Sequence, residues 1–251
     1  MQSSCPPVPG PDSLTRLSEA VDAGARGWYA ASLTRARSLR RDADPAVRSL
    51  SASLEGSLLR QLGRHTDAAV RDGAALVDSG FSRGTGPRRA IDVDAAVDAL
   101  VGLAADAIGP RRLARADVLL ARAESVLATR PGHQRVSLRV KWVRAEVAMA
   151  SGDARRALDA AEASVRAARE FRSPRHLVKS RVVHAAALLV GGDHAGAATA
   201  ARAVRDDAVA ADLLPLAWAS ACLSEACGDR DAGAVRRGFE VAIRSRGGQF
   251  S

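Results

Sequence analysis

Five glycines, Gly63, Gly109, Gly152, Gly192 and Gly228, recur along the chain at spacings of 46, 43, 40 and 36 residues, and each stands between two stretches of helical character. The third, fourth and fifth open the related segments GDARRA, GDHAGA and GDRDAG, and GRHTDA and GPRRLA are looser copies. Five residues after each glycine comes a small residue: Ala68, Ala114, Ala157, Ala197 and Gly233. Seven before it comes another: Gly56, Gly102, Ala145, Ala185 and Ala221. A glycine can take the left-handed conformation that closes one helix, and an Asp beside it can cap the donors that open the next. Asp153, Asp193 and Asp229 supply that cap, while Pro110 suits a first helical position. Each unit therefore reads as a helix, a tight turn and an antiparallel helix, with small residues letting the two backbones approach.

Helix starts are marked independently. DPAV at 44 to 47 and SPRH at 173 to 176 place a capping residue before a proline, and Pro215 follows Asp212 in a similar way. Within the helices apolar residues recur at three and four, as in Val136, Val140, Val143 and Val147. The apolar content, 47% of the chain, is mostly Ala, Leu and Val with only 3% aromatic residues, which favours helix over strand. The expected fold class is all-α.

The residues Arg144 to Val165, RAEVAMASGDARRALDAAEASV, with a small residue in the first helix, a Gly-Asp turn and an Ala early in the second helix, resemble the tetratricopeptide repeat family. The resemblance spans five units between Asp44 and Arg244 and implies a right-handed α-solenoid of antiparallel helix pairs. The repeats are longer than the family's usual length and mostly lack its large aromatics, as in the stretched repeats of some bacterial signalling and transcription regulators. The expected domain runs from 12 to 246, with a degenerate helix pair at 12–42 and repeats at 44–77, 93–130, 134–171, 174–211 and 213–244. Residues 1–11 read as a disordered tail, 78–92 as a segment interrupting the array, either a mobile loop or a partner-contact element, and 247–251 as a fraying end.

The resemblance implies a ligand groove on the first helix of each pair. Counting back from the turn glycines places Arg139, Trp142, Glu146 and Met149 on it, then Lys179, Val182 and Leu189, then Trp218 and Glu225. An apolar, partly aromatic trough with Arg139 and Lys179 at one edge suits an extended or helical peptide of acidic character. The groups that grip a C-terminal carboxylate in chaperone-binding members of the family include Asn, and this sequence has none. Trp142 and Trp218 could equally serve the core between repeats.

Chemistry of other kinds finds little support. Leu188 to Ala201, LLVGGDHAGAATAA, begins like a phosphate-binding loop, but Ala197 and Ala198 stand where Lys and Ser/Thr are needed and the preceding segment is helical. The histidines and the thiols of Cys5, Cys222 and Cys227 have no metal-ligand spacing, and no GxSxG elbow occurs. No catalytic residue, cofactor or metal ligand is expected. The formal charge of +9 is almost all Arg, spread over the chain and often beside acidic residues. A non-catalytic interaction module or adaptor for a protein or peptide is the favoured function. A nucleic-acid-associated regulator with an Arg-rich surface is the alternative, and a small-molecule sensor or enzyme with an internal pocket the second. No apolar run reaches bilayer length and no secretory leader is evident, so a cytoplasmic location is expected.

Overall fold

The computed structural model describes residues 11–81 and 89–251. Among them the chain is all-α, without a strand. Twelve helices follow in order: α1 (Pro11–Ala25), α2 (Tyr29–Leu39), α3 (Pro45–Gln61), α4 (His65–Asp78), α5 (Ala90–Ile108), α6 (Leu113–Thr129), α7 (Gln134–Ser151), α8 (Ala154–Phe171), α9 (Pro174–Val190), α10 (His194–Ala210), α11 (Leu214–Ala226) and α12 (Ala232–Ser245). The expected tail at 1–11, apart from Pro11, and the middle of the expected loop at 78–92 lie outside the described residues.

Within each pair the turn is the same backbone device. The residue at the left-handed position donates its amide to the carbonyl three back, and the next residue donates to the carbonyl five back, which satisfies the orphan carbonyls ending a helix. At the α7–α8 turn Gly152 N reaches Met149 O at 3.1 Å and Asp153 N reaches Ala148 O at 3.0 Å. Gly63, Gly192 and Gly228 repeat the pattern, each with positive φ. Two turns correct the sequence reading. Gly109 is right-handed, at φ −52°, and the left-handed residue of the α5–α6 turn is Arg111, at φ 57°. The α1–α2 pair has this turn as well: Gly27, at φ 79°, donates its amide to Gly24 O, and Trp28 N donates to Ala23 O. The six turns within pairs are therefore of one kind, and the α10–α11 connection repeats the device at Asp212, at φ 53°.

With the phase moved to Arg111, the small-residue positions fall on Ala104 and Ala116, both fully buried, whereas Ala114 is exposed. Gly27 brings in Ala20 and Ser32, also fully buried, and Ser32 Oγ donates to Ala20 O at 2.7 Å. Ala68, Ala145, Ala157, Ala185, Ala197 and Ala221 are buried as expected. In the α11–α12 pair Ala232 is buried and Gly233 only half so, because α12 starts further from its turn than the other second helices do.

Gly56 and Gly102 do something the small-residue pattern does not capture. A Cβ on Gly56 would sit 2.7 Å from Asp72 Oδ2, and one on Gly102 would collide with the same carboxylate. The two glycines on α3 and α5 thus make room for Asp72 of α4, which is fully buried. Asp72 Oδ2 accepts from Arg60 Nη1 at 2.9 Å, and the same guanidinium pairs with Asp106 of α5. Burial, followed by the like charge of Asp106, pushes the Asp72 carboxyl up to about 7 against the pull of Arg60.

Asp44 makes a second fastening. Its Oδ1 caps α3 by accepting from Ala46 N at 2.8 Å, and both its oxygens take the Arg89 guanidinium, at 2.6 and 2.9 Å. Arg89 immediately precedes α5, so this pair ties the end of the 78–92 segment to the start of the previous unit.

Each helix packs on its sequence neighbours, and each odd-numbered helix also packs on the next odd one from α1 to α11. The largest apolar cluster joins α5, α6 and α7 through Val97, Leu100, Leu120, Val140 and Val143. Full burial of such a side chain contributes about 1.5–3 kcal/mol.

The first helices also meet the last ones. Tyr29, Leu58, Leu62 and Ile243 form one buried cluster with Leu214, Trp218 and Phe250 packed on it. Ala30 N donates to Arg246 O at 3.1 Å, and Ser251 N donates to Leu62 O at 3.0 Å. Residues 247–251 therefore do not fray as expected. Apolar burial of Phe250, whose ring lies 5.1 Å from that of Trp218, holds the segment against α3 and α11.

Candidate functional site

Helices α5, α7 and α9 run side by side, and ion pairs and ring contacts show their alignment. Asp94 of α5 faces His133, with Oδ1 2.8 Å from Nδ1, and lies 3.4 Å from Arg135 Nη2. One turn on, Asp98 lies 2.7 Å from Arg135 Nη2 and 3.0 Å from Arg139 Nε. Across the other seam, the Trp142 ring of α7 stacks on His176 of α9 at 5.7 Å, and Trp142 Nε1 donates to Ser180 Oγ at 2.8 Å. A turn further, Lys179 Nζ donates to Glu146 Oε1 at 3.2 Å. Residue numbers rise together across the α5–α7 seam, so those two helices run parallel with their charges in rungs.

The electrostatics of this face are uneven. Asp98 is buried, and against that burial Arg135 and Arg139 hold its carboxyl below the usual range. Arg175, at the second position of α9, has no carboxylate within ion-pairing distance among the described residues. Burial, and then the neighbouring guanidinium of Arg139, lowers its pKa from the ordinary value, with Asp22 of α1 pulling the other way. His176 is lowered to about 4 by burial and then by Arg175, Arg135 and Arg139, so its imidazole is neutral at ordinary pH. Its Nδ1 lies 2.7 Å from the Oγ of Ser173, the residue preceding α9.

Five of the groove residues expected from the sequence come together here. Arg139, Trp142, Glu146 and Lys179 are half-buried along α7 and α9, and Met149 is half-buried one turn beyond Glu146. Trp142 and Met149 also pack on the alanine cluster between α7, α8 and α9, so Trp142 serves core and face together. The other four do not join them. Val182 is buried in the cluster that links α9, α10 and α11, and Leu189 is half-buried two turns further along α9. Trp218 belongs to the cluster joining the ends, its Nε1 donating to Glu240 Oε1 at 3.2 Å. Glu225 is taken by Arg236, 2.6 Å from its Nε. Sequence reasoning missed Asp98, Arg135, Arg175 and His176. The i, i+4 spacing of Arg135 with Arg139 and of Arg175 with Lys179 was the available signal.

The remaining candidates for chemistry sit elsewhere. Burial pushes the Cys222 thiol up to about 11, so it is protonated at neutral pH. Among the described residues no group of three or more His, Cys, Asp or Glu is placed to hold a metal ion, and no helix is long and apolar enough to cross a membrane. Comparison of the chain with protein-family models, curated proteins and solved structures found no match.

Proposed function

We propose that the chain is a helical-repeat binding module, its pairs stacked as a right-handed α-solenoid of tetratricopeptide type, that holds an acidic peptide segment of a partner protein along α7 and α9. The observation that carries this reading is the half-buried strip of Arg139, Trp142, Glu146, Met149 and Lys179, next to the unpaired Arg175. Side chains of that exposure can be reached by a ligand and are already held in place by Ser180, His176 and Asp98. Repeat arrays present such strips on the first helix of each pair, and a pre-ordered strip lowers the entropy lost on binding. The six matched turns and the odd-to-odd packing support the solenoid.

The nucleic-acid alternative draws no comparable support. Many enclosed arginines are committed to carboxylates within the chain, as Arg60 is to Asp72 and Asp106.

Selection of a displayed random-peptide library on the immobilised full chain tests the proposal. Sequences rich in Asp and Glu should be enriched, and Lys179→Glu should lose them while the helical circular dichroism is unchanged. Enrichment of no sequence class, or identical selections by both proteins, rejects it.

A further inference from the structure

The rungs across α5, α7 and α9 do not balance. Asp94 and Asp98 of α5 serve Arg135 and Arg139 of α7, through contacts of 3.4, 2.7 and 3.0 Å. On the next rung Glu146 serves Lys179. Arg175 lies one turn before Lys179 on α9 and, among the described residues, has no carboxylate within pairing distance. Helix α11, on its other side, presents Leu213, Leu214, Pro215 and Leu216 at its start, none of which carries charge. The nearest carboxylate on α1 is that of Asp22, which is exposed and not within pairing distance. Elsewhere in the molecule the enclosed guanidiniums are matched: Arg60 with two aspartates, Arg89 with two, Arg144 with Asp117 and Glu124, and Arg40 with Glu55. Asp22 and Asp98 act on Arg175 only from beyond pairing distance, and an enclosed arginine beside other arginines with no carboxylate in contact is unfavourable unless something outside the chain supplies the anion.

Two further features point the same way. Arg175 is at the second position of α9, after Pro174, so the free amides and positive dipole end of that helix lie beside it. His176, next to it, is neutral and packed against Trp142 and Phe171, which gives the spot an apolar wall.

We infer that Arg175, with Arg139 across from it and the start of α9 beneath it, binds an oxyanion of a ligand, a carboxylate or a phosphate. This rests on the reading of α7 and α9 as the ligand face and names the group that anchors there. The guanidinium offers its donors to two oxygens at once, which suits either anion. A charge-assisted bond of this kind corresponds to about tenfold in affinity.

The test uses the full chain with two probes, inorganic phosphate and a fluorescein-labelled hexaglutamate peptide, at low salt. Arg175→Gln is compared with wild type and with Arg237→Gln on the exposed part of α12. Phosphate should raise the melting temperature of wild type and of Arg237→Gln but not of Arg175→Gln. The peptide should bind Arg175→Gln about tenfold more weakly by anisotropy. Without ligand, Arg175→Gln should melt no lower than wild type, because it removes a charge that has no partner. Failure of both probes to bind wild type, equal binding by Arg175→Gln, or a lower melting temperature for ligand-free Arg175→Gln overturns the inference. A response to phosphate without one to the peptide leaves the oxyanion site standing and removes the peptide reading; the reverse assigns the site to carboxylate.

Discussion

Asp72 carries its carboxylate into a space that two glycines on neighbouring helices leave open, where one guanidinium serves it and Asp106 together. With both acids ionised the group is one negative charge in excess, and a proton on Asp72 neutralises it. The raised pKa means that the folded chain takes up this proton near pH 7, while the unfolded chain takes it up near 3.8. The contribution of Asp72 to stability is therefore fully present below the lower value and declines as pH rises through about 7. Urea unfolding of wild type and Asp72→Asn at pH 4.5, 6 and 8 should show the variant gaining on wild type as pH rises; a constant difference would contradict the assignment. Gly102→Ala adds a methyl group where the carboxylate lies and should cost about 1–3 kcal/mol, the usual range for overpacking. Combined with Asp72→Ala, which empties the space, it should cost less than the sum of the two changes, a coupling that a double-mutant cycle measures.

At the scale of elements, the turns show what the sequence reveals and what it hides. Gly63, Gly152, Gly192 and Gly228 were legible because glycine is the residue that takes positive φ without strain, and the alternation of small residues around them follows from close helix packing. Arg111 was not legible, since an arginine in the left-handed region carries no compositional mark and Gly109 stood two residues away as a decoy. The face of α7 and α9 was half legible: helical spacing from the turns found Arg139, Trp142 and Lys179, whereas the partners of Arg139 and the isolation of Arg175 depend on alignment between helices that are far apart in sequence. Two substitutions check the role of turn geometry by chemical denaturation. Gly152→Ala, at φ 80°, should destabilise by about 1 kcal/mol. Arg172→Gly relieves a left-handed non-glycine residue at the end of α8 and should be neutral to about 0.5 kcal/mol stabilising, the relief being partly offset by a more flexible unfolded chain.

Across the whole molecule, contacts join residues more than 200 apart in sequence, as in the bond from Arg246 Nη1 to Arg26 O. Ile243 is fully buried in the cluster with Tyr29, Leu58 and Leu62. Ile243→Ala should cost about 2–5 kcal/mol and raise hydrogen exchange in α2 as well as α12, even though the substitution lies in α12 alone. Exchange rising in α12 only would show that the two ends are energetically independent.

The meeting of Tyr29 with Ile243 and of Leu62 with Ser251 also sets a rule for how such a chain can change length. In an open stack a whole helix pair can be duplicated or deleted and the remaining units keep their neighbours. Here an added pair would part the two ends and expose the surface they now cover, so a change in the number of pairs costs more than it would in an open stack.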